Sequence, residues 1–308
     1  MSVGKKFGEG NNVNSLNSKT ILSTEWSFCG LKIEGELRER LQKVLVAMLF
    51  DIAGVCKKYD LSLFLCGGSA LGAVRHHGFI PWDDDLDITM TREDYECFQN
   101  IFEDELGSDY MLKAPSYKNG SRSRFPKVMK KGTVFREVGN TSPDEECGIF
   151  LDIFILDNVP DNKLLRTVKG TICNLLEFIS GQVLWHEEHA DELLDRIKEA
   201  SKLQYYIRKV TGFLFSFRKA AAWNRTIDKW IQYKKDTKYC SLATGRKHYF
   251  GETLPREVFL PGTKGTFEGK EILLFSDVDA YLTNLYGDYM VIPEESKREA
   301  HALKDIRF

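Results

Sequence analysis

Four aspartates lie within five positions of an otherwise apolar segment, IPWDDDLDITM at residues 80 to 90. The LDITM part, residues 86 to 90, predicts a strand, and side chains along a strand alternate between its two faces. Asp85 and Asp87 are therefore expected to point to the same side, about 7 Å apart. Carboxylate oxygens at this spacing suit Mg²⁺ or Mn²⁺, which keep coordination positions open for phosphate oxygens. The segment predicts a divalent metal site, although an acidic cluster before a strand is also often a solvated turn.

A third carboxylate, Asp152, lies inside the β-prone apolar segment GIFLDIFILDNVP at residues 148 to 160. A charge without a partner in such a strand is costly. A place at the same metal site would account for Asp152, and so would a helix cap or an arginine partner.

The segment LSLFLCGG at residues 61 to 68 predicts a buried strand that enters a tight turn. Ser69 is expected to cap the helix that follows, and Gly78 to end it. Backbone N–H groups at the start of such a helix face an anion, and Gly67 and Gly68 let that anion approach closely. A phosphate cradle, a same-face acid pair and a distant third acid together fit metal-assisted transfer of a phosphoryl or nucleotidyl group.

The elements that must position these groups follow from hydrophobic spacing. Amphipathic periodicity predicts helices over residues 35 to 58 and 91 to 106. Residues 161 to 235 are predicted to be helical, with breaks near Gly181 and Gly212. The tail is expected to form short strands and then a helix over DVDAYLTNLYG.

The bulk composition favours a cytoplasmic protein that does not bind nucleic acid. The net charge is −2 over 308 residues, whereas nucleic-acid-binding domains are usually basic. Seven cysteines without a C-x-x-C pair predict buried free thiols in a reducing compartment. The sequence lacks the apolar stretch of a signal peptide and any run of eighteen apolar residues that would predict a transmembrane helix. Residues 1 to 22 are expected to form a flexible tail.

Three separated blocks of the sequence resemble the LicD family. The block GGSALGAVRHHGFIPWDDDLDITMTREDYECF begins at Gly67, and GIFLDIFILDNVP is similar to the family's middle block. The block LYGDYMVIPEESKREAH, which ends at His301, resembles its closing motif. The resemblance covers roughly residues 40 to 160 and 255 to 302. The order of the three acids also resembles the nucleotidyltransferase fold shared with DNA polymerase β.

The resemblance implies an α/β (α+β) fold with a nucleotidyltransferase-like, polymerase β-type mixed sheet core and helices. We expect this catalytic core over residues 23 to 160. A mainly helical region, residues 161 to 308, is expected to pack on it and to carry the closing YGDYM motif. No motif matches within residues 161 to 250, so the choice of acceptor stays open.

The resemblance also implies an activity. The family includes bacterial phosphocholine transferases and fukutin-related proteins, and its members move a phospho-alcohol from a CDP-activated donor to a sugar hydroxyl, releasing CMP. The expected donor is CDP-choline. The expected acceptor is a hydroxyl of a cell-surface glycan, such as a teichoic acid or lipopolysaccharide precursor, which is often lipid-linked.

Three alternatives to this activity stay open. The same chemistry could use CDP-ethanolamine, CDP-glycerol or CDP-ribitol as donor. A nucleotidyltransferase would use a nucleoside triphosphate and release pyrophosphate. A non-catalytic binding protein could keep the same fold, although an intact set of three costly carboxylates argues against it.

On this sequence the resemblance assigns Asp85 and Asp87 to metal binding, with Asp83 as a further ligand. Asp152 becomes the third acid, either a metal ligand or the general base that takes the proton of the acceptor hydroxyl. Asp84 is expected to point away from the site, either as a turn residue or as a residue that supports the metal ligands.

The expected substrate-binding residues surround these acids. Donor phosphates are expected on the Gly67-Gly68-Ser69 turn. Arg75 is expected either to reach these phosphates or to pin the DDD loop by an ion pair, and Lys127 either to neutralise the diphosphate or to lie on a solvated basic edge strand. Trp82 is expected to pack against the acids or contact the ligand, and Tyr286 and Asp288 follow a helix in a turn that could wall the site. A trimethylammonium head group needs an aromatic or acidic box, for which the candidates are Trp82, Trp185, Tyr286 and Tyr289.

Residues 202 to 235 mix aromatic and basic side chains. A basic helix rich in aromatic residues can lie on an anionic membrane, which would place the protein at the inner face of the cell membrane as a peripheral contact. The alternative is that the aromatic residues cover the catalytic core and the lysines face water.

Overall fold

The computed structural model of the chain describes residue 31 and residues 33 to 308, except for residues 119, 139, 141, 189 to 200, 299, 300 and 302. The predicted tail, residues 1 to 22, lies outside the described residues.

Nine α-helices and eleven strands are found in this described part of the chain. The helices are α1 (Gly35–Lys58), α2 (Gly67–His76), α3 (Arg92–Leu106), α4 (Lys163–Glu187), α5 (Lys202–Phe215), α6 (Ala220–Ile231), α7 (His248–Gly251), α8 (Arg256–Phe259) and α9 (Val278–Tyr286). The strands are β1 (Phe64–Leu65), β2 (Asp87–Thr91), β3 (Tyr110–Lys113), β4 (Lys127–Lys130), β5 (Val134–Glu137), β6 (Phe150–Val159), β7 (Tyr239–Ser241), β8 (Thr253–Pro255), β9 (Thr263–Phe267), β10 (Lys270–Leu274) and β11 (Leu303–Arg307).

The strands form one mixed sheet and one separate two-stranded antiparallel sheet. The main sheet has the order β3-β4-β6-β2-β1-β10-β9, and β7 with β8 extends from the end of β6. Strands β2 and β6 run parallel, whereas β1 is antiparallel to β2 and β4 is antiparallel to β6. Strands β5 and β11 pair separately. This mixed sheet with helices confirms the predicted α/β (α+β) class, and the domain boundary at residue 160 stays a prediction.

The predicted core elements form for the reasons that the sequence indicated. One face of α1 is buried at helical spacing, through Leu41, Leu45, Met48, Leu49 and Ile52, and the helix packs on β6 and α3. Strand β6 is buried on both faces, which explains its continuous apolar sequence. The helices over 35 to 58 and 91 to 106 and the strands over 86 to 90 and 148 to 160 are thus confirmed within a few residues.

Two predictions about helix ends were wrong. Ser69 is not the N-cap of α2, because the helix begins at Gly67 and the Ser69 hydroxyl instead accepts a hydrogen bond from the Asp87 N–H at 2.8 Å. Gly181 and Gly212 lie inside α4 and α5 rather than at breaks. A Cβ on Gly212 would lie 2.7 Å from the carbonyl oxygen of Gln182, so this glycine lets α5 pack closely on α4.

A buried ion cluster joins the helical region to the sheet. The Arg92 guanidinium at the start of α3 donates to both oxygens of Asp157 on β6, at 2.8 and 2.7 Å, and to Asp228 on α6 at 2.8 Å. The side chain of Asp157 is only 3% exposed. Two carboxylates are therefore held in the interior by one guanidinium.

Among the described helices, none has the length and apolar character needed to cross a membrane.

Replacing Arg92 with methionine is expected to lower the free energy of unfolding by about 3–5 kcal/mol, because two buried carboxylates lose their counter-charge. Chemical denaturation monitored by circular dichroism measures this change. The exposed Lys58–Glu105 pair supplies the control, and Lys58→Met should leave the unfolding midpoint unchanged. Equal effects of the two variants would contradict a structural role for the Arg92 cluster.

Candidate active site

Three charged side chains lie in a row across the centre of the sheet. Asp87 on β2 is the register partner of Asp152 on β6, and Asp152 is in turn the partner of Lys127 on β4. Neighbouring strands lie about 4.8 Å apart, so the structure brings the predicted second and third acids side by side. The Lys127 ammonium is 2.8 Å from Asp152 Oδ1, in an ion pair that is almost fully buried.

The turn before β2 adds three more carboxylates. Oxygens of Asp83, Asp84 and Asp85 all lie within 4.8 Å of one another, so the prediction that Asp84 points away from the site was wrong. This turn also faces the start of α2. A Cβ on Gly67 would lie 2.9 Å from Asp87 Oδ2, and a Cβ on Gly68 would lie 3.1 Å from Asp83 Oδ2. The two glycines therefore let these carboxylates approach the backbone. This close approach does not depend on whether a phosphate also binds there.

The electrostatics of the cluster reflect like charges held close together. Burial raises the pKa of Asp83 well above its ordinary value, and the neighbouring Asp85, Asp84 and Asp87 raise it further. A bound cation would relieve this repulsion. All the donors are carboxylate oxygens, the ligand type that Mg²⁺ and Mn²⁺ prefer. The residues present thus fit a divalent metal site.

His301, near the end of the chain, holds Asp84. Its backbone N–H donates to Asp84 Oδ2 at 2.9 Å, and its Nδ1 lies 2.8 Å from Asp84 Oδ1. Its Nε2 lies 3.8 Å from Asp85 Oδ2 and 3.6 Å from Glu137 Oε1. Burial favours the neutral imidazole, but Asp84, Asp85 and Glu137 outweigh it and raise the pKa of His301 to about 10. The same contact outweighs burial at Asp84 and lowers the pKa of that carboxyl.

A cavity of about 1070 Å³ opens onto the carboxylate cluster. Its walls include seven of the predicted site residues besides Asp83, Asp85 and Asp87, namely Gly67, Gly68, Arg75, Trp82, Lys127, Tyr286 and Asp288. Ser69 and Asp152 are 3% and 1% exposed and support the cluster from the interior.

Two predicted substrate-binding cations have structural partners. Arg75 Nη1 donates to the carbonyl oxygen of Tyr289 at 2.7 Å, so this guanidinium anchors the turn that carries the closing motif. Lys127 pairs with Asp152. Both side chains still border the cavity, so their contact with a substrate stays a prediction.

The four candidate rings for a trimethylammonium group all border the cavity. Arginine guanidinium groups lie over three of them. The pairs are Arg298 over Trp82 at 4.2 Å, Arg208 over Trp185 at 4.8 Å and Arg246 over Tyr286 at 5.6 Å from the ring centroid. These rings can therefore accommodate a cation, and a cationic head group would compete with a guanidinium for the same face.

Several cavity residues were missed. Glu177 and His248 come from residues 161 to 250, where no motif was matched, and Tyr281 precedes the closing block that begins at Leu285. The hydroxyl of Tyr281 on α9 accepts a hydrogen bond from the Gly67 N–H at 3.1 Å, so a tyrosine occupies the first donor of the expected phosphate cradle. Glu177 on α4 is buried, with His248 Nδ1 at 2.7 Å and Arg124 at 3.4 Å. Only the packing of α4, α7 and α9 brings them to the cavity.

A mixed sheet with a carboxylate cluster at the start of a central strand, facing the first turn of a helix, defines a protein of the nucleotidyltransferase-like class. The family described as LicD/FKTN/FKRP, nucleotidyltransferase domain, matches residues 60–155. The lipopolysaccharide cholinephosphotransferase LicD of Haemophilus influenzae is 30% identical over 284 residues, which cover 87% of this chain and 97% of that protein. The chain belongs to the LicD family.

Two uncharacterized rickettsial proteins share a shorter part of the chain. That of Rickettsia typhi is 34% identical over 97 residues, 30% of this chain and 31% of its own length. That of Rickettsia prowazekii is 35% identical over 85 residues, 26% of this chain and 32% of its own length.

Glu252, another buried residue of the cavity wall, supplies a test of the electrostatics. Burial raises its pKa from 4.5 to about 7. Between about pH 4.5 and pH 7 the unfolded chain loses this proton while the native protein still holds it, so the free energy of unfolding falls as the pH rises through this range and levels off above it. The expected contribution is about 3 kcal/mol.

Glu252→Gln should remove that part of the pH dependence, which denaturant titrations at pH 5 and pH 8 measure. Glu257→Gln, the same substitution at an exposed position, should retain the wild-type dependence. An unchanged pH dependence in Glu252→Gln would contradict the burial of an ionisable carboxyl at this position.

Proposed function

We propose that this protein transfers phosphocholine from CDP-choline to a hydroxyl of a lipopolysaccharide or a related cell-surface glycan, with release of CMP. The observation that carries the proposal is the convergence of Asp83, Asp85 and Asp87 on one large cavity beside the start of α2. The relative from Haemophilus influenzae, named as a lipopolysaccharide cholinephosphotransferase, matches along 97% of its length and supports the choice of head group and acceptor.

The proposed step is a direct displacement at the β-phosphorus of the donor. The acceptor hydroxyl oxygen bonds to that phosphorus, and the bond between the phosphorus and the bridging oxygen breaks. The bridging oxygen leaves with CMP. The hydroxyl proton goes to a carboxylate of the cluster. Asp85, whose side chain is 20% exposed, can meet the acceptor, whereas Asp152 is 1% exposed and pairs with Lys127.

Asp83, Asp85 and Asp87 would hold Mg²⁺ or Mn²⁺, and Asp152 would support Asp87 from the neighbouring strand. When bound, the metal would neutralise the donor diphosphate and the charge that develops on the leaving phosphate. The protein's own part is to fix the carboxylates. The Ser69 hydroxyl holds the Asp87 backbone at 2.8 Å, and His301 holds Asp84 at 2.8 Å.

The dimensions of the cavity suit two substrates. Ligand sites usually measure about 300–1,000 Å³, and this cavity reaches about 1070 Å³. A nucleotide donor and one sugar of an acceptor could therefore bind together. A trimethylammonium group could bind the face of Trp82 or Trp185 in place of the guanidinium that lies over it. A neutral polyol could not make this interaction, which favours choline.

Replacing Asp87 with asparagine is expected to lower the rate of CMP release from CDP-choline by about a hundredfold or more, because the cation that would stabilise the reacting phosphates loses one of its carboxylate ligands. Chelation by EDTA should have the same effect on the wild type, and added Mg²⁺ should restore the rate. Asp104→Asn, at an exposed position on α3, is the matched control and should retain full activity.

A donor panel decides between the alternatives in the same assay. CDP-ethanolamine, CDP-glycerol and CDP-ribitol are compared with CDP-choline, each with a lipopolysaccharide or teichoic acid acceptor. Preference for another donor would change the head group and keep the reaction class. Pyrophosphate release from a nucleoside triphosphate, with no CMP from any donor, would contradict the proposed reaction.

A further inference from the structure

Helix α5 carries a stripe of large apolar side chains that faces outward. The members recur at intervals of three and four residues, which places them on one side of a helix, and they are between 46 and 77% exposed. They are Leu203, Tyr206, Ile207, Val210, Phe213 and Leu214, followed by Phe217 just beyond the helix end. We call these seven residues the apolar stripe. Scattered exposed apolar residues are normal in proteins, but a contiguous patch of this kind marks an interaction surface.

The orientation of α5 is fixed from its other side. Gly212 packs against the backbone of α4, where a Cβ would lie 2.7 Å from the Gln182 carbonyl oxygen. The Arg208 guanidinium lies 4.8 Å from the centre of the Trp185 ring, also on α4. Tyr205 and Gly212 are the buried residues of this helix. The aromatic residues of the stripe therefore do not cover the catalytic core, and that sequence-based alternative was wrong for them.

The charge around the stripe identifies its partner. Residues 202 to 219, which include α5 and the stripe, contain five basic residues and no acidic residue, whereas the whole chain has a net charge of −2. Exposed lysines lie at both ends and beside the stripe, at Lys202, Lys209 and Lys219. A surface that buries apolar side chains and attracts this much positive charge is an anionic lipid bilayer.

The length of α5 determines how it would meet the bilayer. Fourteen residues span about 21 Å, less than the hydrocarbon thickness of about 30 Å. A helix of this length with one apolar face lies in the interface plane. We propose that α5 docks this protein on anionic membranes, with the apolar stripe in the lipid and the lysines at the head groups.

This docking would bring the cavity to a lipid-anchored acceptor, a consequence that rests on the proposed function. Arg208 on α5 and Phe178 on α4 both border the cavity, and Phe178 is 37% exposed. The wall of the cavity is therefore continuous with the helices that carry the docking face. The docking itself does not depend on the reaction.

Flotation with lipid vesicles tests the inference directly. The full chain is mixed with vesicles of phosphatidylcholine containing 30% phosphatidylglycerol, and with vesicles of phosphatidylcholine alone. Binding is expected only to the anionic vesicles and should weaken strongly between 50 and 500 mM NaCl. Ile207→Gln with Phe213→Gln should lower the affinity by about thirtyfold or more, because two side chains no longer enter the lipid.

Two matched variants control for general effects. Leu164→Gln with Leu165→Gln changes two exposed apolar residues that lie about 27 Å along α4 from Gln182, and should bind as the wild type does. Lys202→Glu with Lys219→Glu should lower the affinity by about thirtyfold, whereas Lys43→Glu with Lys264→Glu, at exposed positions elsewhere, should change it much less.

Three results would overturn the inference. The first is equal binding to neutral and anionic vesicles, and the second is no loss in the Ile207→Gln, Phe213→Gln variant. The third is self-association of the wild type in sedimentation velocity that this variant abolishes, which would assign the stripe to a second copy of the chain. CMP release with a short acceptor that has no lipid should be the same in this variant and the wild type. A failure of the proposed reaction is therefore measured separately from a failure of docking.

Discussion

Five carboxylates lie close together at the centre of a sheet, and the rest of the structure must offset their mutual repulsion. Asp83, Asp84, Asp85 and Asp87 come from one turn and the strand that follows it, and Asp152 adjoins them from the parallel strand β6. Like charges at this spacing repel each other, and burial increases the cost. Burial, and after it the neighbouring carboxylates, raise the pKa of Asp83 well above its ordinary value.

Different parts of the chain offset this charge. Lys127 pairs with Asp152 from the strand on its other side. His301 pairs with Asp84 from a position 217 residues further along the chain, close to β11, which pairs with β5. The closing motif of the family is therefore part of the site, because its last histidine compensates one of the acids. The carboxylates that these contacts do not neutralise face the cavity. A divalent metal that binds a diphosphate requires such an arrangement.

The acids and the strands on which they lie could be predicted from the sequence, because the alternation along β2 and a lone acid in an apolar strand are local signals. The pairing of Lys127 with Asp152 could not be predicted, because it depends on the register of neighbouring strands. The pairing of His301 with Asp84 could not be predicted either, because it depends on how the end of the chain folds back onto the site. Ser69 illustrates the limit. Its position suggested a helix cap, but the fold uses its hydroxyl to fix the backbone of Asp87. Likewise, the apolar residues of α5 have helical spacing, but only the packing of Gly212 on α4 determines that their face points outward.

The central claim is that this cluster binds a divalent cation, and Mn²⁺ binding followed by electron paramagnetic resonance tests it most directly. We expect the wild type to bind Mn²⁺ at a specific site from which Mg²⁺ displaces it. Asp85→Asn and Asp87→Asn should each weaken that binding at least tenfold, while Asp104→Asn leaves it unchanged. Folded wild-type protein that binds no Mn²⁺ specifically, with or without CDP-choline, would contradict the account.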